Sequence, residues 1–109
     1  MEMGMILTDE IKNKIVDQLK PLDPYKIIVF GSYAYGNADE ESDLDICVVE
    51  RDYKNRWEEK KKIREALKDI DIPKDILNPR LDEYDFYKRE YGSVYKDIED
   101  KGVVLWENS

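Results

Sequence analysis

The sequence predicts a mixed α/β domain in which a small sheet is flanked by helices. Short apolar runs of strand length, Ile27-Ile28-Val29-Phe30, Ile46-Cys47-Val48-Val49 and Val103-Val104-Leu105-Trp106, are spread along the chain. Between them lie segments whose apolar residues recur at helical spacing. Turn signals separate the two kinds of segment, and this alternation packs helices onto a mixed sheet. At 109 residues the chain fits one domain, residues 1–109, with a modest core.

A first helix is expected from about Thr8, with Asp9 and Glu10 in its first turn, where carboxylates suit the helix dipole. Ile11, Ile15, Val16 and Leu19 form its apolar face, and Pro21 and Pro24 end it. Residues 25–30 read as a buried strand closed by Gly31. A helical turn over residues 33–35 and a polar loop lead to a second strand, 44–49. Residues 56–69 are expected as a charged amphipathic helix, with Ile63, Ala66, Leu67 and Ile70 facing inward. A third strand spans 74–77 and stops at Asn78-Pro79. Asp82 is expected to cap a tyrosine-rich helix that breaks near Gly92-Ser93, and Ser93 to cap a last helix through Ile98. Gly102 marks that helix's end, before a terminal strand at 103–106. Tyr84, Tyr87, Tyr91 and Tyr95 fall at helical spacing and predict a packing or partner face, while the Lys60-Lys61-Lys62 run reads as a solvated helix face.

What is missing narrows the chemistry. With no histidine the chain has no Ser-His triad, Cys-His dyad or zinc-histidine site. One cysteine excludes a disulfide framework, and Cys47, inside an apolar strand, reads as core filler. Acid–base or metal chemistry must therefore use carboxylates, tyrosines or lysines. A net charge of −8 argues against direct DNA binding, which needs a basic face to displace counterions. No apolar run approaches the roughly 20 residues that span a membrane. Met1-Glu2-Met3-Gly4-Met5 lacks the features of an export signal, so a reduced, cytoplasmic protein is expected. Abundant Lys and Glu hint at a thermophilic source.

The informative stretch is Gly31-Ser32-Tyr33-Ala34-Tyr35-Gly36, followed by Ser42-Asp43-Leu44-Asp45-Ile46. Gly31 ends a strand and starts a helical turn, so backbone amides point into a gap that suits phosphate, with the Ser32 hydroxyl as a further donor. Taken alone, such a pair is usually a plain tight turn. Asp43 and Asp45 change that reading. Residues i and i+2 of a strand project to one face about 6–7 Å apart, and two carboxylates so placed repel unless a cation lies between them. An all-oxygen site of this kind suits Mg²⁺ or Mn²⁺. A solvated acidic loop is the competing explanation, and it fits Asp39, Glu40 and Glu41 better than residues entering an apolar strand. The acids at 39, 41, 43, 45 and 50 also imitate a calcium loop, but Leu44 stands where its tight turn needs glycine.

Gly-Ser, ten residues, then Asp-x-Asp resembles the signature of the DNA polymerase β-type nucleotidyltransferase superfamily. The compact form, with GSYAYGNADEESDLDICVV and a closing GVVLWEN, resembles its minimal nucleotidyltransferases, the MNT domains. The resemblance implies the nucleotidyltransferase fold, a Gly31-Ser32 turn that holds a nucleoside triphosphate, ATP, and aspartates 43 and 45 that bind two Mg²⁺ ions. It also implies a third carboxylate on a neighbouring strand. Asp75 matches best, ahead of Asp69, Asp71 and Asp82. Many relatives carry arginine where this chain has Tyr35, so Arg51, Lys26 or a partner's residue is expected to substitute. The implied function is transfer of AMP from ATP to a tyrosine of a partner HEPN-domain toxin, silencing it as an antitoxin does. The acidic surface suits a basic, RNA-binding partner. A binding module acting by occlusion, or a subunit modifying a small molecule, are the alternatives.

Overall fold

Thr8 starts the first helix: its hydroxyl accepts from the Ile11 amide at 3.1 Å, satisfying one of the donors that a helix N-terminus leaves unpaired. The computed structural model describes residues 6–108; the reading of residues 1–5 as free of an export signal lies outside them. Helix α1 (Asp9–Leu19) buries Ile15 and Leu19 completely. Pro21 does not stop the chain at once but sits in a 3-10 turn, Lys20–Leu22, near the start of which its missing amide hydrogen is not needed.

Four strands, β1 (Lys26–Phe30), β2 (Leu44–Val49), β3 (Lys74–Leu77) and β4 (Val103–Glu107), form one sheet in the order β3-β2-β1-β4. β1 runs antiparallel to both β2 and β4, whereas β3 lies parallel to β2. The mixed sheet is the expected one. A parallel pair needs a crossover connection, and α3 (Arg56–Ala66) supplies it. A short helix α2 (Ser32–Tyr35) follows β1, and α4 (Leu81–Tyr87) and α5 (Val94–Lys101) precede β4.

Strand alternation divides the core in two. Ile27, Val29, Leu44, Ile46 and Val48 pack on one face against Ile15 and Leu19 of α1 and against Ile63 and Leu67. Ile28, Cys47 and Val49 pack on the other against Tyr84 of α4 and Ile98 of α5. No helix among the described residues is long and apolar enough to cross a membrane.

Several boundaries differ from expectation. α3 stops at Ala66, not residue 69, although Leu67 and Ile70 are still buried. The turn that follows is held by Lys74, whose Nζ donates to the Ile70 and Ile72 carbonyls at 2.7 and 2.9 Å. Asp82 does not cap α4. Arg80 occupies the cap position, its amide donating to Glu83 Oε1 at 3.3 Å, while Asp82 lies inside the first turn and accepts from the Glu83 amide at 2.7 Å. α5 runs on to Lys101, and Gly102 follows with an ordinary φ of −71°. Glycine is needed there for space: a Cβ would lie 2.6 Å from both the Ile28 side chain and the Ile98 carbonyl oxygen. The tyrosine series is split, because the helix breaks after Tyr87. Tyr84 is buried and Tyr95 packs against it, whereas Tyr91 points to solvent.

Candidate active site

Leu44, fully buried, anchors the entry of β2 into the sheet, and its amide donates to the Pro73 carbonyl at 2.8 Å. That anchoring fixes the residues on either side of it. Asp43 lies one residue before the strand and is exposed; Asp45 is the strand's second residue and half-buried. The parallel register sets Asp45 directly beside Asp75, the second residue of β3. Neighbouring strands lie about 4.8 Å apart, so the two carboxylates share one pleat on adjacent strands. On its other flank Asp45 faces Phe30, the last residue of β1, and Gly31 follows immediately.

Asp45 alternates with Cys47 and Val49, so it belongs to the sheet face covered by Tyr84 and Ile98. That cover lies farther along the strands. The three sequence-predicted aspartates therefore gather on one face near its open end, with Asp75 exposed like Asp43. Burial, then the charge of Asp75, then that of Asp43, hold the Asp45 carboxyl above its usual range. Among the described residues no three His, Cys, Asp or Glu side chains are drawn tightly enough together to hold one metal ion. The sheet brings the three backbones together, but the side chains do not close into a ligand shell.

Gly31 has φ of +73°, a conformation that favours glycine. Close backbone approach to a ligand is the reason expected from the sequence. The structure adds one that the sequence reading missed: a Cβ at Gly31 would overlap the Asp45 carboxylate. The glycine thus makes room for the carboxyl that follows 14 residues later. Beyond it, the Ala34 and Tyr35 amides both donate to the Gly31 carbonyl at 3.0 Å, opening α2. The first amides of such a turn have no partner within the helix, and Ser32 stands at that start. Tyr33 is buried and fixes the turn to the core; Tyr35 is exposed.

Asp39 was expected to be plain solvated loop, and it is exposed, but it also shapes the approach to Asp43. Its Oδ1 accepts from the Glu41 amide at 2.9 Å and from the Ser42 hydroxyl at 3.2 Å, while its own amide donates to Ser42 Oγ at 3.0 Å. An aspartate followed three residues later by serine was the available signal for such a turn.

Two of the expected stand-ins for a missing arginine, Lys26 and Arg51, are not at this end of the sheet. Lys26 opens β1, opposite Val49 and Glu107, with its ammonium 3.7 Å from Glu99. Four residue steps along the strand, about 13 Å, separate it from Phe30. Arg51 follows β2 at that same far end, its guanidinium 5.1 Å from the Tyr25 ring. Neither is placed to reach the Gly31-Ser32 turn.

A family model described as a nucleotidyltransferase domain matches residues 10–105. Among solved structures, a toxin–antitoxin complex with AMP-PNP superposes with a TM-score of 0.66 at 24% identity, over 90% of this chain and 74% of that one. The MntA-HepT toxin–antitoxin superposes with a TM-score of 0.57 at 21% identity, over 89% and 70% of the two chains. A mutant form of that toxin–antitoxin gives 0.54 at 26% identity, over 94% and 76%. No curated protein matches the sequence.

Proposed function

The chain belongs to the nucleotidyltransferase domain family, and from that premise we propose that it is an antitoxin that transfers AMP from ATP to a hydroxyl of a HEPN-domain toxin, tyrosine foremost. It would act as a single domain in the cytoplasm. The observation that carries this reading is the gathering of Asp43, Asp45 and Asp75 on one sheet face beside the Gly31-Ser32 turn. Likeness to toxin–antitoxin complexes, one of them with AMP-PNP, supports the choice of partner and nucleotide.

In the proposed reaction the acceptor oxygen attacks the α-phosphorus of ATP, a new O–P bond forms, and the bond to the bridging oxygen breaks as pyrophosphate leaves with the electron pair. The amides at the start of α2 and the Ser32 hydroxyl hold triphosphate oxygens. Asp75, the exposed member of the pair, takes the acceptor's proton. The site suits divalent cations because the donors are all oxygen, and because Asp45 lies among like charges that a bound cation would relieve. Asp43, Asp45 and Asp75 would hold them, two Mg²⁺ ions or Mn²⁺ in their place, once the exposed Asp43 and Asp75 side chains rotate inward. Such ions supply charge neutralisation at the attacking and leaving oxygens.

Occlusion without chemistry is a second reading, favoured by one observation: Lys26 and Arg51, two of the expected substitutes for the arginine missing at Tyr35, both lie at the far end of the sheet. Mass spectrometry of the partner after incubation with ATP and Mg²⁺ separates the two. Transfer adds AMP in steps of roughly 329 Da, as displacement at the α-phosphorus requires. Asp75→Asn should stop it with nucleotide affinity largely kept, and Asp43→Asn should lose both. An unmodified partner, silenced equally well by the variant lacking all three aspartates, would sink the enzymatic reading.

A further inference from the structure

The helical spacing of Tyr84, Tyr87, Tyr91 and Tyr95 left open whether they pack inward or face a partner, and the structure divides them. Tyr84 and Tyr95 meet edge to face at 5.7 Å inside the second core. Tyr91 is exposed by 97% and Tyr87, although its ring centroid lies 6.5 Å from that of Tyr95, by 44%, and Phe86 and Val94 beside them in sequence are exposed by 61% and 47%. Half of the large apolar side chains exposed among the described residues thus fall within nine positions, at the corner where α4 hands over to α5. We propose that this corner, Phe86, Tyr87, Tyr91 and Val94, is the surface on which the protein acceptor docks. The identity of that acceptor rests on the function proposed above.

Three properties favour a folded protein as the occupant. The first is chemistry: interface cores are enriched in aromatic anchors, which carry most of the binding energy when buried. The second is area. Phe and Tyr side chains present on the order of 150–250 Å² each, so these four leave roughly 500 Å² uncovered, more than half of the roughly 800 Å² that each side of a stable interface contributes. The third is presentation. The corner is pinned by the Glu90 amide donating to the Tyr87 carbonyl and the Ser93 amide to the Glu90 carbonyl, both at 3.0 Å, and Ser93 caps α5. The four side chains are thus carried together on one turn, which, being exposed, still opens more easily than the core.

Position fits the reaction too. α4 and α5 lie on the sheet face that carries Asp45 and Asp75, covering it at Cys47 and Val49. Cys47 and Val49 follow Asp45 by two and four residues, about 7 and 13 Å along the strand. An acceptor whose hydroxyl reaches the carboxylates must approach over this face. Trp57, 69% exposed on α3 with Lys61 Nζ 5.0 Å from its ring centroid, belongs to the helix that covers the opposite face. It serves as the control.

The test compares the wild-type chain, the double variant Phe86→Ala/Tyr91→Ala and Trp57→Ala, with the HEPN-domain toxin of the same organism as probe. Calorimetry gives the affinity of the complex, and AMP transfer gives KM and kcat for the toxin. The double variant should weaken the complex by about 30-fold or more, the loss typical of an interface anchor. KM for the toxin should rise in parallel, with kcat and ATP affinity unchanged. Trp57→Ala should change affinity by less than about threefold. An unchanged complex in the double variant, an equal loss in Trp57→Ala, or no complex with the wild-type chain would overturn the assignment. Self-association of the wild-type chain that the double variant abolishes would give the surface to a second copy and overturn it as well. A complex that depends on Phe86 and Tyr91 yet receives no AMP would uphold the surface and sink only the chemistry.

Discussion

At Asp45 a half-buried carboxyl stands between Asp75 on the next strand and Asp43 at its own strand's entry, with Gly31 packed against it so closely that no Cβ fits. Burial and like charge both disfavour the ionised form. Without a cation, Asp45→Asn should therefore stabilise the fold, by about 1 kcal/mol after solvent screening at this half-open site, or about 4–8 °C in melting temperature. The same variant should lose the rise in melting temperature that ATP with Mg²⁺ gives the wild-type chain, since a ligand stabilises only the fold that binds it. Gly31→Ala should melt lower and respond less to Mg-ATP, because its methyl group displaces the carboxylate. Thermal melts with and without Mg-ATP check all three proteins. An Asp45→Asn variant that melts below wild type in the absence of metal would show the carboxylate to be satisfied as it stands.

The far end of β2 holds a second carboxyl under constraint. Glu50 is 5% exposed and accepts from Asn78 Nδ2 at 3.0 Å, with Glu59 and Lys62 of α3 facing it. Burial, and then a hydrogen bond shared with Glu59, push its pKa up to about 8, against the opposing pull of Asn78 and Lys62. In the unfolded chain the same group ionises near pH ~4.3. Between those values the folded chain holds a proton that the unfolded chain has released, so stability falls as pH rises through this window and levels off above it. Glu50→Gln keeps an acceptor for Asn78 and offers Glu59 a donor. It should be more stable than wild type at pH 8 by on the order of 1–2 kcal/mol, the gain fading toward pH 4. Urea unfolding at both pH values checks this, and a variant destabilised at pH 8 would show that α3 is held by the charged form. Glu50 also illustrates what the sequence conveys at this level. Apolar spacing reports local periodicity, so the four strands and the buried faces of α1 and α3 were foreseen within a residue or two. It is silent on what side chains reach across space: Lys74 closing the turn after α3, Glu83 reaching back to Arg80, Asn78 pairing with Glu50. Strand direction is equally hidden. Antiparallel β1 carries Lys26 to the end of the sheet opposite Asp45, although both flank the same motif in sequence.

Across the whole molecule the sheet is covered unequally, with α1 and α3 over one face and α4 and α5 over only part of the other. β1 and β2 are the inner strands, each paired on both sides, and both are lined by side chains buried from either face. β3 and β4 are edges, and Val104 of β4 is 48% exposed. Local openings break the least buried contacts first, and only global unfolding frees strands paired and packed on every side. Hydrogen exchange should therefore be slowest at the amides of Ile27, Ile28 and Val29 and of Ile46, Cys47 and Val48. It should be faster along β3, and fastest at the α4–α5 corner around Tyr91. This order has a functional consequence. Asp45 and Gly31 sit on or beside the inner strands, so the proposed chemistry is held by the most protected part of the fold, while the proposed docking corner belongs to a part that opens at lower cost and can adjust to an acceptor. If the amides around Tyr91 exchange as slowly as those of Val29 and Cys47, the chain opens only as one unit and this division between a rigid site and an adjustable docking corner fails.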